Sequence, residues 1–127
     1  MSYADNQDVT VTDTSTGLMW QKATAPGTYV WDAALRYCED LTLAGHDDWR
    51  LPNVRELQSI VDYGRIDPSS DLIFGAESGW YWSSSTIVLY PNDAWLVFFY
   101  DGFVDYGSKG VGSFVRAVRG PTGKEDI

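Results

Sequence analysis

The residues able to do chemistry are few, and their spacing limits what each can do. The sequence holds one histidine and one cysteine. His46 stands beside Asp47 and Asp48, a trio that suggests a metal site or a general base. Adjacent side chains diverge on any regular element, so these three need distant partners to converge, and a loop with capping carboxylates is the simpler expectation. Ser83, Ser84 and Ser85 follow one another and offer hydroxyl nucleophiles. Activating one requires a base oriented by a third group. The lone histidine lies in a different motif, and there is no G-x-S-x-G elbow. Redox chemistry on paired thiols is ruled out by the single Cys38. The chain is therefore expected not to be an enzyme. Pro91-Asn92-Asp93 offers oxygens of the kind calcium takes, but that ion wants roughly six to eight of them. A turn is expected there, with calcium-dependent sugar binding as the alternative and no other cofactor.

What remains is aromatic. Ala94 to Gly107 reads AWLVFFYDGFVDYG. A strand with one wet face alternates apolar and polar side chains. Here Trp95, Val97 and Phe99 fill one parity, and Leu96, Phe98 and Tyr100 fill the other. Either both faces are buried or one is kept for something outside the protein.

Composition narrows the partners. The chain has 127 residues, 44% of them hydrophobic and 15% aromatic, with 9 Lys+Arg against 18 Asp+Glu and a formal charge of −9. That length is expected to form one domain, with a core over about 8–120 and a polar tail over 121–127. The negative balance repels phosphates, anionic headgroups and sulfated polysaccharides, so no nucleic acid partner is expected. Cys38 has no possible internal disulfide partner. No apolar run is long enough for membrane insertion, and no signal peptide is visible.

The elements that must position these residues follow from periodicity. Asp8 to Gln21 reads as a short alternating strand, a polar turn and a second strand. Trp31, Ala34, Leu35, Cys38 and Leu41 fall on one face of a helix that Gly45 can stop. A second helix has Asn53 as N-cap, Glu56 three residues on, and an apolar stripe of Val54, Leu57, Ile60 and Val61 before Gly64. A loop carrying Pro68 follows. Beyond Gly79 the chain reads as strands, with Asp101-Gly102 marking a hairpin. Strands, two helices and a strand-rich second half predict an α+β fold with a mostly antiparallel sheet.

Several phrases in order, VTDTSTGLMWQ, GHDDWRLPNVRELQSIVDY, YWSSS, AWLVFFYDG and FVRAVRG, resemble the Lcl C-terminal domain family over nearly the whole chain. The resemblance implies a C-type-lectin-like fold. In that fold the first and last strands pair, two helices flank the core, and a long second half is rich in loops. It implies a binding module of bacterial surface or secreted proteins, an adhesin-like setting. Similar sequences carry a second cysteine in the closing strand, where this chain has Ala117; if that residue is the usual partner of the helix cysteine, Cys38 has lost it here. The Trp49-Arg50-Leu51-Pro52 phrase suits scaffold, with Arg50 able to pair with an acid such as Glu56.

In the resembled family the odd parity, here Trp95, Val97 and Phe99, is core. Leu96, Phe98 and Tyr100 then lie outward, covered by a loop, by an oligomer interface or by a ligand. In the last case Tyr90, Phe103, Asp105 and Tyr106 extend the ligand-binding face, together with Ile87, Val88 and Leu89. The expected function is recognition of a protein partner through this face. A carbohydrate-binding adhesin tip, an oligomerisation domain and the variable protein of a diversity-generating retroelement are the alternatives. In the last of these, residues 86–113 would be the rewritten stretch.

Overall fold

Local sequence chemistry builds two small sheets, each closed by its neighbours. The computed structural model describes residues 2–120; the polar tail expected over 121–127 lies outside the described residues. Alternation in Thr10–Asp13 and Met19–Gln21 gives strands β2 and β3, joined by a polar turn. Strand β1, Tyr3–Asp5, which the sequence did not signal, pairs with the outer side of β2. The C-terminal strand β7, Val118–Arg119, pairs antiparallel with β3, so the first sheet runs β1-β2-β3-β7 and ties the two ends of the chain together. The last strand thus pairs with the third strand, not the first.

Helix α1, Trp31–Glu39, buries Ala34 and Cys38. Helix α2, Val54–Ser59, begins with the expected capping box. The Asn53 side chain accepts the Glu56 N–H at 2.8 Å, and a Glu56 carboxylate oxygen accepts the Asn53 N–H at 3.0 Å. Such a cap stabilises a helix by about 1 kcal/mol. Both carboxylate oxygens of Glu56 also accept from Arg50, at 2.7 and 2.9 Å, as the sequence suggested. The helix is shorter than expected, ending before Ile60 instead of near Gly64. Ile60 and Val61 leave it to enter the core, and the Ile60 carbonyl accepts the Ser70 hydroxyl at 2.8 Å.

The second sheet, order β4-β5-β6, comprises Trp80–Thr86, Asp93–Phe98 and Phe103–Ser108, all antiparallel. Asp101-Gly102 makes the expected hairpin. Gly102 has φ +89°, and a side chain there would meet Val61 at 2.7 Å, so the residue must be glycine for two reasons. On the far edge of β4, Phe114 exchanges backbone bonds with Trp80 and Trp82, at 2.9 and 3.0 Å.

Two hydrophobic clusters sandwich β4 and β5. Tyr81, Val97 and Phe99 join Trp20, Leu57, Ile60 and Val118 on one side. Trp82, Ala94 and Leu96 join Cys38, Trp49, Leu51 and Ala117 on the other. The middle of β5 is therefore buried on both faces, which explains the loss of alternation. Two expectations are corrected by this packing. Leu96, expected outward, is only 8% exposed because the second cluster covers it. Trp95, expected in the core, belongs to neither cluster and is half-buried, its ring edge-on to Tyr106 at 5.7 Å. Ile87, expected in the outward patch, is buried as well.

Candidate functional site

Register places the site. Across the second sheet, Trp80, Phe98 and Phe103 align in one row, and Trp82, Leu96 and Asp105 in the next. Cross-strand neighbours share a face, so both rows look the same way. The Trp80 indole stacks on Phe98 with centroids 4.6 Å apart and planes 16° off parallel, and Phe103 approaches Trp80 edge-on at 6.4 Å. Tyr100, in the hairpin turn, stacks beside Phe98 at 5.9 Å. Phe103 is 57% exposed and Tyr100 is also exposed, while Phe98 and Trp80 are half-buried.

The expected residues do not form one patch. Leu96, Phe98, Phe103 and Asp105 share a face, with Tyr100 at its end. Tyr106 aligns with Trp95 on the opposite face and stacks on Tyr90 at 5.9 Å. Val88 and Leu89 in the adjoining loop are almost fully exposed. A period of two makes this split unavoidable, because Phe103 and Tyr106 are an odd number of residues apart. Trp80 and Trp95 were missed. Neither could be found without the register, since each sits in an apolar run whose buried parity the sequence leaves open.

Beside the Trp80–Phe98–Phe103 row lies an open recess of about 420 Å³, within the size range of small-ligand sites. Trp80, Trp82 and Leu96 line it together with β6 from Asp105 to Ser108 and the segment from Val111 to Phe114. Glycine shapes it: a Cβ on Gly107 would press Leu96 at 3.1 Å, and one on Gly79 would strike the Phe114 ring at 2.6 Å. Asp105 is the charged residue of the lining. One of its oxygens accepts the Tyr106 N–H at 2.8 Å, and no cation among the described residues forms an ion pair with it. Lys109 is committed elsewhere: its ammonium donates to Thr86 Oγ1 and the Pro91 carbonyl and lies 3.9 Å from the Trp31 ring centre.

The other chemical candidates are spent on architecture. The Ser83 hydroxyl donates to the Trp95 carbonyl at 2.7 Å, and Ser85 Oγ accepts the Val54 N–H at 3.0 Å, so these serines bind the irregular part of β4 to its neighbours. Asp48 holds Arg119 through both oxygens, and the His46 ring lies edge-on to Trp49. Pro91 and Asn92 form a turn into β5, closed by the Asp93 N–H donating to the Tyr90 carbonyl at 2.8 Å. Among the described residues no cluster of His, Cys, Asp or Glu suits a metal ion, and no helix is long and apolar enough to cross a membrane. Cys38 is buried, which pushes its thiol up to about 12 and keeps it neutral.

Residues 9–119 match the family model described as the Lcl C-terminal domain, and no curated protein matches the chain.

Proposed function

This chain belongs to the Lcl C-terminal domain family, and we propose that it works as a non-enzymatic ligand-binding module. Its ligand is a protein partner, held on the uncovered end of the second-sheet face that carries Trp80, Phe98 and Phe103. The observation that carries this reading is the Trp80–Phe98–Phe103 row, stacked in order beside a recess, with Phe103 exposed and Trp80 and Phe98 half-buried. Rings that served only folding would be covered. Exposed, pre-stacked aromatics give large contact area at low entropic cost, the pattern of binding hot spots. The apolar loop at Val88 and Leu89 suits a protein surface better than a sugar.

The test is selection from a displayed peptide library on immobilised protein. Enriched peptides are expected to bind the wild type and to lose about tenfold or more on Phe98→Ala/Phe103→Ala, with the variant still folded by circular dichroism. Peptides that bind both forms equally would overturn the reading. So would an absence of enrichment coupled with signals on a glycan array, or a solution mass showing a dimer that covers Phe98.

A further inference from the structure

We infer that the recess beside the aromatic row receives a basic side chain of the protein partner, an arginine before a lysine. This rests on the binding-module reading and names the chemistry of its anchor. The lining is aromatic and apolar at Trp80, Trp82, Leu96 and Phe114, and it carries one charge, the Asp105 carboxylate. By register Asp105 stands on the same face as Leu96 and Trp82, so the acid and the indoles share the cavity. Asp105 is exposed at the mouth of the recess and forms no ion pair among the described residues; Lys109, four residues on, is turned to Thr86, Pro91 and Trp31.

Charge complementarity selects the occupant. A formal charge of −9 disfavours acidic visitors at long range, and Asp105 disfavours them at contact. A neutral apolar side chain would fill the space but leave that carboxylate facing hydrocarbon. A guanidinium does both jobs, because its plane stacks on aromatic rings and its fork pairs with a carboxylate. Cation–ring contact recurs within the molecule, where Arg116 lies 5.1 Å above the Phe74 ring and Lys109 sits over Trp31. Gly107 keeps the cavity open next to Asp105, since any Cβ there would crowd Leu96.

The experiment titrates the whole chain with Nα-acetyl-arginine amide and with its neutral counterpart, Nα-acetyl-citrulline amide, following backbone and indole N–H chemical shifts. The arginine probe is expected to shift Gly79, Trp80 and the Asp105–Ser108 stretch and to bind about five- to tenfold more tightly than the citrulline probe. Asp105→Asn, on an exposed residue, is expected to erase that preference while thermal denaturation stays within a degree or two of wild type. Equal binding of the two probes, shifts mapping elsewhere, no saturable binding, or a preference that survives Asp105→Asn would each overturn the inference. If displayed peptides still require Phe98 and Phe103 while the arginine probe fails, the anchor chemistry falls and the binding module stands.

Discussion

Two regions of this molecule that use aromatic rings, one around Arg116 and Phe74 and one around Phe98, are built on opposite rules. Around Arg116 everything is enclosed. Its guanidinium is almost inaccessible and donates to the carbonyls of Gln21, Lys22 and Phe74 and to Thr24 Oγ1. No carboxylate forms an ion pair with it among the described residues; burial lowers its pKa, and the ring of Phe74 and the carbonyl dipoles keep it in place. Around Phe98 the rings stack on one another and stay open to water. The first region clamps the N-terminal strands, the Phe74 turn and the closing strand into one body. The second joins that body through Trp80, which packs against the second cluster, but leaves Phe103 and Tyr100 exposed, and those two rings need another explanation.

Removing the clamp is the most severe way to break this contrast. Arg116→Met would remove the guanidinium donors from the buried carbonyls of Gln21 and Phe74 and the part-buried carbonyl of Lys22, at a cost of about 3–5 kcal/mol in total. Urea denaturation should show that loss, and the melting temperature should fall by roughly 10–20 °C. Arg116→Lys should recover little, because a single ammonium cannot reach four partners spread over two segments, residues 21–24 and Phe74. A neutral Arg116→Met would mean the closure is held by the apolar cluster alone.

The contrast sharpens inside one strand. Leu96 and Phe98 point to the same face two positions apart, yet the first is buried and the second only half-buried. Leu96→Ala should cost about 2–4 kcal/mol through the cavity it leaves, whereas Phe98→Ala should cost about 1 kcal/mol, mostly the stacking on Trp80. Comparable losses for both would make the aromatic row part of the core and remove the reason to assign it to a ligand.

Which parts of this were legible depends on whether the signal is local. The capping box at Asn53 and Glu56, the Arg50–Glu56 pair and the Asp101-Gly102 hairpin depend on residues a few positions apart, and each appears as read. The fold class follows from the order of such elements. The site depends on burial, which is set by partners far along the chain. Leu96 is covered by Trp49, Leu51 and Ala117, and no period within AWLVFFY reports them. Trp95 escapes the core because the neighbours of its face are Tyr106 and Tyr90, a fact fixed by the β5–β6 register. Phe98, Tyr100 and Phe103 are brought together; Tyr106 instead aligns with Trp95 and stacks on Tyr90 from the adjoining loop.

The smallest expected effect tests whether closure of the chain ends depends on burial or on charge. Arg119, three residues past Arg116 on the same closing segment, has what Arg116 lacks: a carboxylate partner, Asp48, held by two bonds at 2.6 and 3.0 Å. The Asp48 side chain is 60% exposed, so water and salt screen the pair. The Arg119 guanidinium holds the Asp48 carboxyl below the usual carboxylate range. A lowered folded pKa means the stabilisation is complete above the ordinary aspartate value. It fades as pH falls through the lowered one, because protonating Asp48 is harder in the folded state than in the unfolded. Asp48→Asn should therefore cost under about 0.5 kcal/mol at neutral pH. The difference from wild type should shrink toward zero below the carboxylate range, and about 1 M salt should remove most of it. Taking the difference between variant and wild type cancels the similar Asp5–Lys22 pair, whose acid is lowered in the same direction. A penalty approaching that of Arg116→Met would instead place the strength of the closure in the exposed ion pair.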